Sequence, residues 1–502
     1  MNQEISAYLA RFRGRTYRDI ILPPLGENLA DSRDAITLNT HFSTNVPLKQ
    51  PLVSANMLDV TESKMAIAQS LEGGIGIIHR FCTPDRQAQE IGITKRAHNY
   101  LIENPYAVEA SATIGEAKNM MSQHKVGSLV VKDSNGRLSG LLTQRDVRFV
   151  DECECVSFHM TPRKPVKGKR GLIAATLEEA LSVKQVIEKL KQNKIKKLPV
   201  VDVHDNIVGL ISAKDIERLQ KYPLANLDQR GNLVVGGTIG AVGDFIERAQ
   251  ELKKKNADVI VMDVTSANST SVKNAIRSFR KQLGDYELVI GNIGTAEQAV
   301  ALIREGVQGL KIGIGPGGPC TTRISTGIGV PQLFAILEIY WNLIAKYCYK
   351  PEQIPPLCAD GNIRAGCDIT HALLAGASSV MIGTLFAGTE ETPGESYEKP
   401  DGWHKRYAGM ASIEAAIERF TAMGYEDPIT EALKKAPEGI PLEVKIKGSA
   451  KTIIHTLLGG IRSGISHRGA LSLADFKKQN PFDEETGFNI LSSAAQRESY
   501  NR

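Results

Sequence analysis

The sequence lacks the features that mark secreted and membrane proteins. Its seven cysteines are an odd number, and no histidine or cysteine cluster at zinc spacing accompanies the close pair Cys153 and Cys155. This pattern argues against a disulfide framework and for a reducing compartment. No apolar run approaches the ~20 residues of a membrane-spanning helix, and the N-terminus has no basic-then-apolar signal pattern. We therefore expect a cytoplasmic protein that makes no membrane contact.

A strong net charge is also missing. The chain has 61 Lys and Arg residues against 56 Asp and Glu residues, a formal net charge of +5 over 502 residues. Such a mild excess suits small anionic ligands and predicts no nucleic-acid partner. The length exceeds one ordinary hydrophobic core, so we expect at least two domains. The 45 glycines favour an α/β protein with many strand-to-helix loops.

The first half of the chain contains an internal repeat. The segment Gly-Leu-Leu-Thr-Gln-Arg-Asp at 140–146 recurs as Gly-Leu-Ile-Ser-Ala-Lys-Asp at 209–215, which is 69 residues later. Each copy follows a strand-like run and is preceded by an amphipathic helical pattern, at 114–124 and 177–193. The doubled β-α-β-β-α unit resembles a pair of CBS modules, which are regulatory domains that often bind adenine nucleotides.

This resemblance implies a regulatory site for adenine or guanine nucleotides. Thr143 with Asp146, and Ser212 with Asp215, would contact the ribose and phosphate. The alternative is that the two aspartates only cap the helices that follow them. Both interpretations stay open at this point.

The rest of the chain alternates short apolar runs with helical segments. Eight near-continuous apolar runs are typical of buried parallel strands, and nearly all of them end in Gly, Asp, Asn, Ser or His. They lie at 51–55, 74–79, 233–237, 259–263, 288–292, 309–313, 357–360 and 380–383. The pattern predicts a (β/α)₈ TIM barrel whose chemistry is carried at the C-terminal ends of the strands. The repeat domain would be inserted between the second and third strand units.

The most informative stretch runs from Lys311 to Arg323. An apolar strand leads into the loop Gly-Ile-Gly-Pro-Gly-Gly-Pro, which presents Cys320 followed by two threonines and an arginine. Glycines allow tight turns and a close approach of the backbone to a ligand. A cysteine at the tip of such a loop is placed as a nucleophile, because a thiolate needs access and positive surroundings.

Two further glycine loops predict a phosphate site. They are Asp360-Gly-Asn-Ile-Arg364 and Met381-Ile-Gly-Thr384, and they follow the predicted seventh and eighth strands. Loops at these positions commonly bind phosphate in such barrels through backbone N–H groups.

Together these segments resemble the IMP dehydrogenase/GMP reductase family over essentially the whole chain. Further stretches that carry the resemblance are Ser54-Ala-Asn-Met57, Glu72 to His79, Gly327 to Gln332, Tyr407-Ala-Gly-Met410 and Gly459-Gly-Ile-Arg-Ser463. The resemblance implies a TIM barrel formed by residues 1–100 and 223–502, with a flap at about 400–448. A tandem CBS (Bateman) domain would span residues 101–222. It also implies a homotetramer or octamer.

The resemblance implies a role for each motif residue. Cys320 would attack C2 of a purine nucleotide, GMP or IMP, with Thr322, Glu414 and Tyr425 as the other catalytic candidates. The nucleotide would be bound by Ser54, Met57, Gly317, Gly318, Asp360, Gly361, Gly383, Thr384, Tyr407, Gly409 and Met410. The nicotinamide cofactor would contact Asp263, Thr265, Asn292, Gly313 and Gly315. Carbonyls of Gly315, Gly317 and Cys320 match a potassium site of the dehydrogenases.

The sequence favours the reductase over the dehydrogenase. The family's dehydrogenases activate water with an Arg-Tyr pair, which should fall near Gly424-Tyr425, where the arginine is absent. We interpret the nearest such pair, Arg419-Phe420, as an ordinary face of a helix predicted at 412–420. The reductase expels ammonia from GMP and needs no activated water, so the absence suits it. Its cofactor would be NADPH.

Two other hypotheses remain open. The first is an IMP dehydrogenase that uses NAD and another base, and the second is a nucleotide-sensing barrel without activity. The chain departs from the reductase pattern at Ile413, where a glutamate beside Thr322 is expected, and Glu414 lies one position off. The proton donor for departing ammonia is therefore not identified by the sequence.

Overall fold

The computed structural model describes residues 2–25, 32–98, 100–124, 126–434 and 436–500. The chain divides into two compact units. The first comprises Met1–Ala97, Leu224–Asp228 and Leu233–Arg502, and the second comprises His98–Pro223 and Gln229–Asn232. Among the described residues, no helix has both the length and the apolar character that crossing a membrane requires.

The first unit is built on a closed barrel of eight parallel strands, which confirms the predicted fold class. In chain order the strands are β1 (Leu52–Ser54), β2 (Ile75–Ile78), β3 (Val235–Ile239), β4 (Val259–Asp263), β5 (Leu288–Ile293), β6 (Gly309–Ile312), β7 (Leu357–Asp360) and β8 (Ser379–Ile382). Each strand pairs with its sequence neighbours, and β8 pairs with β1 to close the sheet. All eight strands lie at the predicted apolar runs, with ends that differ by at most two residues.

A ring of helices covers the barrel. The barrel helices are α1 (Ser63–Leu71), α2 (Pro84–Arg96), α3 (Phe245–Lys254), α4 (Thr270–Leu283), α5 (Ala296–Ile303), α6 (Gln332–Ala345) and α7 (Gly366–Ala375). Side chains cap several N-termini; Ser269, for example, accepts a hydrogen bond from the Val272 amide at the start of α4. Two later helices are α8 (Ile413–Ala422) and α9 (Ala450–His467), and α9 packs against α7 and α1 to complete the ring.

The remaining elements of the first unit extend from this frame. Helical segments lie at Asn2–Phe12, Tyr17–Asp19, Arg33–Ala35, Thr322–Thr326, Pro351–Gln353, Pro428–Leu433, Leu473–Phe476 and Ser493–Tyr500. Two-stranded sheets join Ile20–Ile21 with Asn489–Ile490 and Thr40–Ser43 with Val46–Leu48. A three-stranded antiparallel sheet is formed by Tyr397–Lys399, Gly402–Ala408 and Pro441–Lys445.

The second unit contains two four-stranded sheets. One is formed by Thr161–Pro162, Leu138–Thr143, Ser128–Lys132 and Ala107–Glu109, and the other by Ala175–Thr176, Lys197–Val201, Ile207–Ser212 and Leu101–Glu103. Its helices are Ile114–Gln123, Val156–His159, Leu177–Ala180, Val183–Asn193 and Ala213–Lys221. The sequence repeat is therefore a structural repeat: Ser128 pairs with Thr143 as Lys197 pairs with Ser212.

The repeated hydroxyl and carboxylate pairs contact each other within this unit. The Thr143 hydroxyl donates a hydrogen bond to Asp146 Oδ2 at 2.7 Å, and Ser212 makes the matching contact with Asp215. Ser212 caps the helix Ala213–Lys221, as the capping alternative predicts. After Thr143 the chain makes turns, so the first repeat lacks the corresponding helix. Nucleotide binding at these pairs stays a prediction.

Glycine at position 76 allows α1 to pack on β2. A Cβ added to Gly76 would lie 2.4 Å from the Cα of Ala66, which is backbone that cannot move aside. We predict that Gly76→Ala lowers the free energy of unfolding by about 1–3 kcal/mol, the usual cost of overpacking a core. The exposed α9 residue Gly459 has open space around its Cβ position, so Gly459→Ala should raise stability by up to about 1 kcal/mol. Urea unfolding measures both changes; equal stability of the two variants would contradict this packing.

Candidate active site

One large cavity lies where the barrel strands end. Its volume is about 400 Å³. Seventeen of the sequence-predicted site residues line it: Met57, Asp263, Thr265, Asn292, Gly313, Gly315, Gly317, Gly318, Cys320, Thr322, Asp360, Gly361, Gly383, Thr384, Tyr407, Gly409 and Met410. The barrel topology brings them together because parallel strands end at the same rim.

The predicted nucleophile is the first member of a hydrogen-bonded chain. Cys320 Sγ lies 3.2 Å from the hydroxyl oxygen of Thr322, and that hydroxyl donates a hydrogen bond of 2.8 Å to Glu438 Oε2. Since the hydroxyl proton is directed to the carboxylate, its oxygen is free to accept the thiol proton. The arrangement provides a path for a proton between the thiol and Glu438.

Backbone hydrogen bonds hold this chain of groups in place. The Thr321 amide donates to the Glu438 carbonyl at 2.8 Å, and the Ile440 amide donates to the Pro319 carbonyl at 2.9 Å. The Glu438 amide donates to the Ala411 carbonyl at 3.0 Å. A Cβ on Gly409 would lie 2.8 Å from the Pro319 carbonyl oxygen, so the close approach of these segments requires glycine there.

Glu438 is a residue of the site that the sequence did not identify, and Glu414 does not lie at the predicted place beside Thr322. Glu414 lies on α8 outside the cavity lining, whereas its neighbour Ile413 faces the cavity. Glu438 is 116 residues from Thr322 along the chain, so no local spacing connects the two. Tyr425 is also corrected: its side chain is exposed and packs on Phe420, with 4.9 Å between ring centroids, and it does not line the cavity.

Glycines form a cradle on one side of the cavity. The Thr384 hydroxyl lies 3.2 Å from the hydroxyl of Tyr407. A Cβ on Gly318 would meet Thr384 Oγ1 at 2.8 Å, and one on Gly383 would meet the Tyr407 hydroxyl at 2.7 Å. The two glycines therefore leave room beside the Thr384 hydroxyl for a ligand to approach the backbone N–H groups, which suits a phosphate group.

Ser54 does not reach this cavity, contrary to the prediction. Its side chain is fully buried at the end of β1, where it accepts a hydrogen bond of 2.9 Å from the Thr61 hydroxyl. The direction of a side chain on so short a strand was not determined by the motif. Ser54 supports the loop after β1 and is not part of the cavity lining.

A buried lysine joins the two carboxylates of the site. Lys311 Nζ lies 2.6 Å from Asp360 Oδ2 and 3.3 Å from Asp263 Oδ1. Asn292 Nδ2 donates to Asp360 Oδ2 at 3.0 Å, and Asn56 donates to Asp263. Burial disfavours the charged lysine, but the two carboxylates outweigh burial and raise the pKa of Lys311 above its usual value.

Burial distinguishes Cys320 from other cysteines of the chain. Cys358 lies within the barrel, and burial raises the pKa of its thiol to about 12. Burial likewise raises the pKa of Cys82 to about 11. These thiols stay protonated at neutral pH and are poor nucleophiles, whereas Cys320 is partly exposed in the cavity wall.

The predicted potassium ligands are carbonyls of the cysteine loop. The Gly317 carbonyl accepts a hydrogen bond of 3.2 Å from the Cys320 amide. The Arg323 guanidinium donates hydrogen bonds to the carbonyls of Ile314 and Val330. These bonds connect the two ends of the cysteine loop and stabilise its conformation. The cation site at Gly315, Gly317 and Cys320 stays a prediction.

Arg419 belongs to the cavity wall, which corrects its interpretation as an ordinary helix face. It lines the cavity from α8, together with Ala416. Arg80, in the loop after β2, lines the same cavity. Arg80 belongs to no motif that pointed to it, whereas Arg419 was considered and assigned to a helix face because it lies four or five residues before the expected position of the Arg-Tyr pair.

Comparisons with known proteins identify the family of the chain. A family model described as the IMP dehydrogenase/GMP reductase domain matches residues 14–501. The chain is 38% identical over 475 residues to an inosine-5'-monophosphate dehydrogenase of Nitrosopumilus maritimus, covering 93% of this chain and 95% of the relative. A similar enzyme of Aquifex aeolicus is 37% identical over 472 residues, covering 93% of this chain and 92% of the relative.

Solved structures give a second comparison. A GMP reductase from Trypanosoma brucei in complex with guanosine 5'-monophosphate superposes with a TM-score of 0.83, at 33% sequence identity and with 97% of each chain covered. The same enzyme in complex with guanosine 5'-triphosphate gives a TM-score of 0.73 at 31% identity, with 96% of this chain and 98% of the other covered.

The chain belongs to the IMP dehydrogenase/GMP reductase family. It is accordingly a purine nucleotide oxidoreductase of the NAD(P)-dependent kind. The residues present fit such a cofactor, because the cavity combines Asp263, Thr265 and Asn292 with the guanidinium groups of Arg80 and Arg419. The carboxylate can accept hydrogen bonds from sugar hydroxyls, and guanidinium groups suit phosphate.

We predict that Lys311→Met lowers the free energy of unfolding by about 3–5 kcal/mol at pH 7, because it leaves two carboxylates without their buried cation. Since the folded-state pKa of Lys311 is raised, its contribution is present at pH 7 and is lost only as the pH rises above the usual lysine value. Urea unfolding measures the change, with the exposed Lys281→Met on α4 as the matched control. Equal stability of the two variants would show that the buried bridge contributes nothing.

Proposed function

We propose that the protein is a GMP reductase, which converts GMP to IMP and ammonia with NADPH as the reductant. The observation that carries the proposal is the path from Cys320 through Thr322 to Glu438. This path supplies the acid that a departing amine needs and requires no arginine. The similarity to a GMP reductase in complex with its nucleotide supports the same choice.

The cavity orients the nucleotide at both ends. The glycine cradle with Thr384 and Tyr407 binds the 5'-phosphate, and the Asp360 carboxylate accepts hydrogen bonds from the ribose hydroxyls. The purine ring then lies toward Cys320. Binding of the remote phosphate fixes the position of C2 relative to the thiol. The orientation lowers the entropic part of the activation barrier and so raises the rate of attack.

The first chemical step is attack by the thiol. Cys320 gives its proton to Thr322, which passes its own hydroxyl proton to Glu438, and the thiolate forms a bond to C2 of GMP. The bond between C2 and the exocyclic amine then breaks, and the amine leaves with the electron pair. Glu438 returns the proton through Thr322, so that ammonia is the product.

The second step restores the cysteine. A bound nicotinamide cofactor would supply the hydride equivalent that C2 needs. The C2–S bond then breaks, Cys320 leaves as the thiolate and takes up a proton from solvent, and IMP is released. Asp263, Thr265 and Asn292 hold the cofactor side of the cavity, and Lys311 keeps Asp263 and Asp360 together while both partners are bound.

IMP dehydrogenase is the second candidate. Arg419 lies in the wall of the cavity that contains Cys320, so an arginine is available near the site where water would be activated. The curated relatives with 37% and 38% identity carry this name. The same Thr322–Glu438 pair would then accept a proton from water, and the cofactor would be NAD.

We extend the proposal to the second unit and to the assembly. The repeated pairs Thr143–Asp146 and Ser212–Asp215 would bind a regulatory purine nucleotide. The active form would be a homotetramer or octamer, as the family resemblance implies.

Absorbance at 340 nm with the purified protein tests the reaction in both directions. With GMP and NADPH we expect loss of absorbance and release of one ammonia per NADPH oxidised. Cys320→Ser should abolish turnover, because the covalent step requires the thiol. Growth of absorbance with IMP, NAD and potassium, without activity on GMP, would show that the protein is the dehydrogenase.

Replacing the acid of the relay tests the mechanism. We predict that Glu438→Gln lowers kcat about 10²–10⁴-fold, because the amide cannot accept the thiol proton or return it to ammonia. Glu414→Gln is the matched control, since Glu414 lies outside the cavity lining, and it should retain most of the activity. The reverse ranking of the two variants would assign the proton transfer to Glu414.

A further inference from the structure

Two guanidinium groups in the cavity wall lack partners. Arg80 follows β2 and Arg419 lies on α8, and both line the cavity. Within the described ranges, neither side chain forms a hydrogen bond or an ion pair, and the Nε atom of each is buried without a partner. Each guanidinium lies over a neighbouring ring, with Cζ 5.6 Å from the centroid of Phe81 and 4.7 Å from that of Phe420, respectively.

Arg248, which is also buried, provides a comparison within the same fold because its guanidinium is hydrogen-bonded to the protein. Arg248 on α3 is buried, and its Nε also lacks a partner, but its terminal nitrogens donate to Asp244 Oδ2 at 2.6 Å, to the Cys82 carbonyl at 2.9 Å and to Gln87 Oε1 at 2.9 Å. Buried charged groups are normally paired in this way, because burial without hydrogen bonds is costly. Arg80 and Arg419 are therefore exceptions that call for a partner outside the chain.

The charges around this pair favour an anion. Burial lowers the pKa of Arg80, Asp263 raises it, and the positive charges of Arg419 and Arg248 lower it again. The two unpartnered guanidinium groups thus repel each other. An anionic ligand between them would remove the repulsion and supply the missing hydrogen-bond acceptors.

The position of the pair identifies the source of the anion. The phosphate of the purine nucleotide is accounted for by the glycine cradle at Gly318 and Gly383. Arg80 instead interacts electrostatically with Asp263, which we place on the cofactor side. The pair therefore requires a second anion, and the dinucleotide cofactor carries phosphate groups.

We propose that Arg80 and Arg419 together bind a phosphate group of the nicotinamide dinucleotide. The inference rests on the proposed function, because it assumes that the cofactor occupies this side of the cavity. The phosphate is either the pyrophosphate, which NADH and NADPH share, or the 2'-phosphate, which only NADPH has. Ring stacking orients the two guanidinium groups before the ligand arrives, so less side-chain freedom is lost on binding.

Equilibrium binding of NADPH and NADH to the full-length protein, measured by calorimetry in the absence of a purine nucleotide, tests the assignment. We expect Arg80→Gln and Arg419→Gln each to raise the Kd of the dinucleotide about 10- to 100-fold, the usual effect of losing charge-assisted hydrogen bonds. Loss of affinity for both dinucleotides assigns the pair to the pyrophosphate. Loss for NADPH alone assigns it to the 2'-phosphate.

Thermal unfolding of the ligand-free variants separates binding from folding. Removing a guanidinium group without partners should leave Tm unchanged or raise it, whereas Arg248→Gln, which breaks three hydrogen bonds, should lower Tm. The Kd for GMP should stay unchanged in both cavity variants. A lowered Tm together with loss of GMP binding would show that the two residues are structural and would overturn the proposal.

Titration of the wild-type protein separates failure of the Arg80 and Arg419 assignment from failure of the proposed function. If the wild-type protein binds a dinucleotide and both variants keep the same Kd, the assignment of Arg80 and Arg419 is wrong while the proposed function stands. If the wild-type protein binds neither dinucleotide, with or without GMP, and oxidises no NADPH in the presence of GMP, the proposed function fails and this assignment fails with it.

Discussion

The site depends on one buried charge at the centre of the barrel rim. Lys311 lies on β6 and contacts the carboxylates that end β4 and β7. Both carboxylates are attracted to the same buried cation, and this attraction is strong in a medium of low polarity. Lys311 thus connects the side of the cavity at Asp263 with the side at Asp360.

The predicted nucleophile, Cys320, is positioned by backbone contacts. Cys320 lies on a loop, and loops move more than strands. Here the loop is tied to the segments around Ala411 and Glu438 by backbone hydrogen bonds, and glycine at 409 lets these segments approach closely. The same contacts that hold the loop bring the Glu438 carboxylate to Thr322. One set of contacts therefore positions the Cys320 loop and also brings the Glu438 carboxylate to Thr322. A substitution that weakens these contacts should change the position of the thiol and the proton path together.

Local pattern was enough to predict the barrel and the glycine loops at its rim, and the family resemblance named most of the other cavity residues. Buried parallel strands appear as apolar runs, and polar residues at their ends converge whatever the sequence separation, because the strands end at one rim. Asp263, Asp360 and the glycine loops were found in this way. Glu438 and Arg80 were not, and Arg419 was assigned to an ordinary helix face, because their places in the cavity wall arise from contacts between distant segments that no local period encodes. A signal for Lys311 did exist: it is a charged residue inside an apolar strand, and such a residue needs a buried partner.

The central claim is that Cys320 forms a covalent bond to the purine while Glu438 and Thr322 protonate the departing amine. Intact-protein mass spectrometry after incubation with GMP, without any dinucleotide, tests it most directly. The account predicts a mass increase equal to GMP minus ammonia, located at Cys320 and absent from Cys320→Ser. An unmodified protein with GMP, together with an adduct that forms only from IMP and NAD, would contradict it.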